Sequence, residues 1–153
     1  VAVAQDDLSA AHVHFHAAAR LAPQDPLLQL ALADFELRSS DARICANGRR
    51  LATQMKANPP ARDEALRLLI KDALRQKSPA HAAIFAKELV ALPDAILDDR
   101  LTAAAIFHSL KDPEFVPALT SLEAECSGSA EQASHLVDWM NNQSLALFAI
   151  AWG

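Results

Sequence analysis

The sequence predicts an all-α protein, folded as an α-α superhelix: a right-handed solenoid of about four to five antiparallel helix pairs. Three observations predict it. Apolar residues make up 52% of the 153 residues, largely as Ala and Leu, with only three Gly and no Tyr. Residues that break helices recur at short intervals. Apolar positions recur along the whole chain with a period of about 34 residues, which is the length of a repeated helix pair.

The period is carried by one apolar residue in each predicted repeat and by a proline at a fixed distance after it. The apolar residues are Phe15, Leu51, Phe85 and Leu119. The prolines are Pro23, Pro59 and Pro93, and Ser127-Gly128 stands in the fourth place. A period of this length is typical of repeated helix pairs.

Helix breakers divide the chain into segments of about 12 to 17 residues, a length typical of globular helices. In chain order they are Asp6-Asp7, Pro23 to Pro26, Ser39-Ser40-Asp41, Pro59-Pro60, Ser78-Pro79, Pro93-Asp94, Asp112-Pro113, Ser127-Gly128-Ser129 and Asn141 to Ser144. Links this short favour antiparallel neighbouring helices.

Apolar residues recur three or four positions apart in each segment after the first, which predicts one buried stripe per helix. From the second segment to the eighth, they are Leu28, Leu32, Phe35 and Leu37; Ile44, Gly48, Leu51 and Met55; Leu66, Leu69, Ile70 and Leu74; Ala82, Phe85 and Leu89; Ala103, Ile106 and Leu110; Leu119 and Leu122; and Leu136, Trp139 and Met140. Cys45 and Cys126 lie within such patterns, so we expect both to be small buried residues.

Two helix starts carry capping chemistry. Ser78 precedes Pro79 and Asp112 precedes Pro113, and these pairs are again one period apart. A proline in the first turn loses no helical hydrogen bond, and Ser or Asp favours the cap. Pro117 predicts a distorted first turn, or a regular helix that starts nearer residue 116.

The first quarter of the chain resembles the second helix of a tetratricopeptide repeat. That family places a small residue, an aromatic, a small residue and a proline at fixed spacing, here Ala11, Phe15, Ala18 and Pro23. Residues 1–5 would be the end of the first helix of that repeat. The resemblance implies a single repeat domain over 1–153, with a half repeat at 1–25, repeats at about 26–59, 62–95 and 96–129, and a truncated repeat at 130–153. We therefore expect the chain to be a piece of a longer stack. A generic α-α solenoid is the alternative.

The same resemblance, to bacterial proteins of this family, implies a non-catalytic scaffold whose concave groove binds a peptide or a helix. The groove positions carried over from the family come from the first helix of each pair. They are Leu27, Leu30, Asp34 and Arg38; Asp63, Leu66, Ile70 and Ala73; Arg100, Ala104, Phe107 and His108; and Glu131, Ser134, Asp138, Asn141 and Asn142. Asp34, Arg38, Asp63, Arg100, Phe107, His108, Asp138, Asn141 and Asn142 are the predicted partner-binding residues. Arg38 and Arg100 could pair with acidic ligand groups. Asn141 and Asn142 could bond a peptide backbone or end their helix as left-handed and turn residues.

Two other functions stay open. Self-association is one, since truncated ends would expose apolar stripes that a second copy could cover, which makes the chain a possible homo-oligomer. The other is a metal or catalytic site at His12 and His16, which share a helix face at i, i+4. No third ligand is evident, and no nucleotide-binding or nucleophile motif occurs. We therefore predict no cofactor, no metal site and no catalytic residue. Trp139 and Trp152, the two tryptophans, are predicted to pack at the end of the stack.

The net charge of −5 and the pI near 5.6 argue against nucleic acid as a partner, because an acidic surface repels phosphate. No apolar run reaches the length of a membrane span, so we expect no membrane contact by this segment. The remaining partner class is protein or peptide.

Overall fold

The structure is a computed structural model that describes the backbone of residues 2–143 and the side chains of residue 10 and residues 13–143. This part of the chain is all helical, as predicted. Its α-helices are α1 (Ala2–Leu21), α2 (Pro26–Leu37), α3 (Ala42–Met55), α4 (Arg62–Arg75), α5 (Pro79–Val90), α6 (Leu97–Leu110), α7 (Phe115–Cys126) and α8 (Ala130–Asn142). A 3₁₀ turn over Pro59–Ala61 precedes α4.

The helix bounds follow the predicted breakers with one exception. The break expected at Asp6-Asp7 is wrong, because α1 runs through it without interruption from Ala2. Neither glycine nor proline stands there, and the neighbouring Ala, Gln and Leu are strong helix formers. The helix expected after residue 143, with Trp152, lies outside the described residues.

Side-chain caps begin several helices. The Asp25 carboxylate accepts from the N–H groups of Leu27 and Leu28 at 2.9 and 3.3 Å, with Pro26 as the first residue of α2. Asp41 accepts from Arg43 N at 2.8 Å to begin α3. These groups satisfy donors that a helix N-terminus leaves without a partner.

The two predicted cap pairs have different outcomes. Asp112 accepts from Glu114 N at 2.9 Å, and the regular helix α7 begins just after it, at Phe115. Pro117 is then the third residue of α7, where its missing N–H costs no helical bond, so the prediction of a start near 116 holds to within one residue. The Ser78 hydroxyl instead bonds the His81 ring nitrogen Nδ1 at 2.7 Å.

One turn occurs twice, separated by one period of the sequence. At the end of α4, Lys77 has φ 54°, and Ser78 N donates to Ala73 O at 2.9 Å. At the end of α6, Lys111 has φ 54°, and Asp112 N donates to Phe107 O at 2.9 Å. Both are Schellman turns with a lysine in the left-handed position that glycine usually fills. The distance between the two turns therefore equals the period of the apolar positions in the sequence.

The chain divides into two compact units between Phe85 and Ala86, inside α5. In the first unit, α2 contacts α1, α3 and α4, and α3 also contacts α4. Its core is made of Ala and Leu side chains such as Leu32, Ala33, Ala52 and Leu69, with Phe15 and Phe85 packed against it. The single repeat domain predicted over 1–153 stays a prediction.

The second unit contains α6, α7 and α8, in which α7 contacts both of the other helices. Its buried side chains include Ile106, Leu119, Leu122, Leu136 and Met140. The four residues that define the period all face inward: Leu51 and Leu119 are buried, and Phe15 and Phe85 are half-buried against the first core.

Gly48 sets how closely α2 and α3 approach each other. A Cβ atom at this position would lie 2.8 Å from Glu36 Cβ and 2.9 Å from both Ala33 O and Leu37 N. These distances are too short for carbon, so only glycine permits this packing. The approach places Glu36 of α2 directly beneath α3.

Candidate functional site

The candidate site is a surface hollow of about 400 Å³ between α2 and α4 in the first unit, here called the α2–α4 hollow. Its lining comes from α2, the residue that follows α2, and α4, and consists of Asp34, Arg38, Leu68, Lys71, Leu74 and Arg75. Asp34 and Arg38 are two of the predicted groove residues, and the structure brings them together here. In the predicted repeat register, α2 and α4 are the first helices of consecutive pairs, which is where the concave groove was expected.

The lining of this hollow carries three cationic side chains and one carboxylate. Arg38 donates from Nε to Asp34 Oδ1 at 3.2 Å and from a terminal nitrogen to Asp34 Oδ2. Arg75 lies 3.6 Å from Asp72, whose carboxylate already accepts from Arg49 at 2.6 Å. Lys71 has no ion-pair partner among the described side chains. The hollow therefore has an excess of positive charge in a protein of net charge −5.

An exposed leucine lies among these cations. Leu74 is 44% exposed, while Leu68 at the base is buried. The sequence pattern placed Leu74 on the buried stripe of α4, and the structure corrects that assignment. Leu66, Leu69 and Ile70 already fill the buried face, so Leu74 at the last turn lies beside the charged residues instead.

The face of α4 that lines the hollow differs by about one residue from the face that was predicted to line a groove. Leu66, Ile70 and Ala73 were expected to line the groove, but all three are buried in the protein core. Their sequence neighbours Lys71 and Leu74 are exposed in their place. Asp63, the fourth predicted residue of this helix, is bonded to Arg67 at 2.9 Å and does not line the hollow. The positions i, i+3 and i+4 of Lys71, Leu74 and Arg75 are the signal that could have found this face.

In the second unit, Arg100 and Phe107 line a smaller hollow of about 260 Å³. Phe107 is only 2% exposed, so its ring forms part of the wall. Arg100 forms a hydrogen-bonded ion pair with Glu125. The other lining residues come from α5, α6 and α7 and are Val90, Ala103, Ala118 and Ser121.

The other predicted groove residues of this unit have separate surroundings. The His108 ring stacks at an angle on Phe115, with 4.9 Å between ring centroids. Asp138, Asn141 and Asn142 are exposed on α8, and the asparagines are its last two residues. Neither asparagine has a positive φ, so they do not end the helix in the left-handed conformation.

The alternative metal or catalytic site at His12 and His16 is described only for His16, because the His12 side chain lies outside the described residues. His16 bonds through Nε2 to Glu36 Oε1 at 2.8 Å, which gives it a structural partner. Within the described part of the chain, no group of three or more His, Cys, Asp or Glu residues could hold a metal ion. Cys126 is buried, which raises the pKa of its thiol, and Cys45 is half-buried beside Leu37 O.

The described helices include none that is both long enough and apolar enough to cross a membrane. Comparison with known proteins adds no assignment: no protein family, no curated protein and no solved structure matches this chain.

Proposed function

We propose that this protein is a non-catalytic interaction module, built from helix pairs of tetratricopeptide type, that binds an acidic protein segment in the α2–α4 hollow. The carrying observation is the lining of that hollow. It combines three cations, one carboxylate and an exposed leucine within a single concavity. A segment with an acidic group beside an apolar side chain has the complementary chemistry.

The charge of the hollow supports this partner chemistry. Lys71 has no ionic partner among the described side chains, and Arg75 shares its only ion-pair partner, Asp72, with Arg49. An incoming carboxylate would therefore meet Lys71, which is not neutralised by a described partner, and Arg75, whose charge is only partly neutralised. Charge-assisted hydrogen bonds of this kind are stronger than neutral ones.

The exposed leucine supports binding by apolar contact as well. Leu74 lies between the charged side chains, and Leu68 continues the apolar surface beneath it. Contact with a partner's apolar side chain would remove this leucine from water, at about 25 cal/mol for each Å² buried.

The repeat architecture in the proposal is supported by the two Schellman turns at Lys77 and Lys111. Identical turns one period apart fit consecutive helix pairs of the same design. The contact of α2 with α4, two helices further along, fits stacking of one pair on the next.

A displayed library of random peptides provides the test. Selection on the 153-residue chain should enrich peptides that contain an acidic residue next to an apolar one. The binding of the selected peptides, measured by fluorescence anisotropy, should weaken about tenfold or more in Lys71→Glu, because the new carboxylate repels the ligand's acid.

Arg43→Glu is the matched control. It makes the same change in net charge, but Arg43 is a highly exposed residue of α3 outside the hollow. The dissociation constant of the selected peptides for Arg43→Glu should stay within about twofold of their dissociation constant for the unsubstituted protein. Selection that enriches no sequence, or binders that Lys71→Glu leaves unaffected, would contradict the proposal.

Self-association stays the alternative, since large apolar side chains such as Leu27, Ile84 and Val116 are more than half exposed. Sedimentation velocity at high protein concentration distinguishes the two. A monomer throughout the concentration range removes self-association, and a dimer that survives Lys71→Glu places the contact outside the α2–α4 hollow.

A further inference from the structure

A second hollow, of about 460 Å³, lies in the first unit between α1, α2 and α3 and is here called the α1–α3 hollow. It lies on the other side of α2 from the α2–α4 hollow, because Gln29 and Leu32 face it while Asp34 and Arg38 face the first. At about 100° per residue these pairs point in nearly opposite directions. Nothing in the proposed function uses this second hollow.

Two arginines of this hollow lack a carboxylate partner among the described side chains. Arg20 of α1 has no hydrogen-bond or ion-pair partner there. Arg50 of α3 donates only to neutral oxygens, Asn47 Oδ1 at 2.7 Å and Gln54 Oε1 at 3.2 Å. Most other described arginines are paired with a carboxylate: Arg38, Arg43, Arg49, Arg67, Arg75 and Arg100.

A buried carboxylate below the hollow orients Arg50 indirectly, through Asn47. Glu36 is 1% exposed and accepts from Asn47 Nδ2 at 2.6 Å. This bond orients the amide of Asn47 so that its oxygen points at Arg50. His16 bonds the other oxygen of Glu36 and also lines the hollow. The Arg50 guanidinium is thus preorganised, and preorganisation lowers the entropic cost of binding a ligand.

We infer that the α1–α3 hollow binds a phosphate monoester, with Arg20 and Arg50 as its two guanidinium donors. A single carboxylate is satisfied by one arginine, whereas a phosphate monoester carries close to two negative charges and three acceptor oxygens. The volume of the hollow is within the range of sites that bind small molecules, so it can hold the group that bears the phosphate. Leu32, Leu51 and Ala19 form an apolar surface against which that group can pack.

Two probes test the inference, inorganic phosphate and a short phosphoserine peptide, each titrated at constant ionic strength and followed by ¹H–¹⁵N shift changes. Saturable binding of at least one probe is expected, with the largest shifts in α1 and α3 near Arg20 and Arg50. Arg20→Ala and Arg50→Ala should each weaken it about tenfold, as expected for the loss of a hydrogen bond to a charged group. Arg20 is exposed and has no described partner, so its substitution does not threaten the fold.

Arg43→Ala is the control, since it removes the same charge from an exposed position of α3 outside the hollow. It should change the affinity less than twofold. Tighter binding of the peptide identifies a phosphorylated protein as the source of the group, and equal binding identifies a free phosphate compound. The absence of saturable binding by both probes, or an equal loss in Arg43→Ala, would overturn the inference. Full affinity in both single variants, Arg20→Ala and Arg50→Ala, would also overturn the inference.

Discussion

Each unit of the protein contains the same type of backbone turn, but the buried residue that precedes the turn differs between the two units. In the first unit, Asp72 of α4, five residues before Lys77, is buried, and Arg49 of α3 is bonded to it. In the second unit, the position one period later is Ile106, which is also buried. The backbone turn is therefore independent of the interior on which it rests. Local residues determine the turn, while the interior depends on which helix packs against it.

Carboxylates between helices show the same difference. In the first unit, Glu36 and Asp72 are buried, and each accepts from a side chain of α3. In the second unit, the pairs Lys87–Asp112 and Arg100–Glu125 join different elements and are partly exposed. Asp99 is buried there, but it accepts from Ile96 N at the start of its own helix. Buried polar bonds depend on exact packing far more than exposed ones do. We therefore expect the first unit to be the more sensitive to small substitutions.

The largest effect is expected at Gly48. Gly48→Ala places a Cβ atom within 3 Å of Glu36 Cβ, Ala33 O and Leu37 N, so α2 and α3 must move apart. The free energy of unfolding, measured with urea, should fall by about 3 kcal/mol.

Gly128→Ala is the control for that comparison, because no described residue other than its own chain neighbours lies within 4 Å of a Cβ at this position. Its φ is not positive, so alanine is unstrained there. The stability should stay the same or rise by less than about 1 kcal/mol. An equal loss in both variants would contradict the claim of close packing at Gly48.

A matched pair of Glu→Gln substitutions compares a buried carboxylate of the first unit with a partly exposed one of the second. Glu36→Gln replaces one acceptor oxygen with an amide donor facing His16 or Asn47, so about 2 kcal/mol should be lost. Glu125→Gln weakens a partly exposed pair with Arg100 and should cost less than about 1 kcal/mol. Urea unfolding followed by circular dichroism measures both. Equal losses would show that burial of Glu36 has no energetic consequence.

The shared turn predicts equal gains in the two units. Lys77 and Lys111 both have φ 54°, a conformation in which a side chain is strained and glycine is not. Lys77→Gly and Lys111→Gly should each raise the stability by about 1 kcal/mol, the size of that strain. Thermal unfolding checks this, and a gain in one variant with a loss in the other would show that the two turns are not equivalent.

The smallest effect concerns how the stability of the protein depends on pH in the acidic range. The N–H of Arg43 lowers the pKa of the Asp41 carboxyl below 3.8, and the N–H of Glu114, helped by Lys87, lowers that of Asp112. Because each pKa is lower in the folded chain, the stabilisation is present above pH 3.8 and is lost as the pH falls through the lowered value. Asp41→Asn and Asp112→Asn should each make the urea midpoint less dependent on pH between about 5 and 2. An unchanged dependence in both would contradict the capping role.

The helices could be predicted from the sequence because their limits are set by local chemistry. Asp41 and Ser129 cap α3 and α8 with their own side chains, and Pro26 is the first residue of α2. The spacing of Phe15, Leu51, Phe85 and Leu119 identified residues that face inward. Lys77 and Lys111 have the same spacing in the sequence.

The candidate site could be predicted only in part, because a groove depends on helix rotation to within one residue. Asp34 and Arg38, which were predicted to bind a partner, line the α2–α4 hollow, and their binding role stays a prediction. Lys71, Leu74 and Arg75 also line it but were not predicted, and the predicted Ile70 and Ala73 are buried. Because Leu and Ala occur on much of the helix surface, the sequence does not show which residues mark the boundary between its buried and exposed faces. The buried position of Glu36 also escaped prediction, since it depends on how closely α3 approaches.

Gly48 also has a consequence for genetics. The atoms that exclude a side chain there are a Cβ and two backbone atoms, and the backbone atoms belong to every residue that could stand at positions 33 and 37. No single exchange in α2 can therefore make room for alanine at position 48. A search for second-site suppressors of Gly48→Ala should find substitutions that stabilise the protein in general, such as those at Lys77 or Lys111, and none that restores the lost contact.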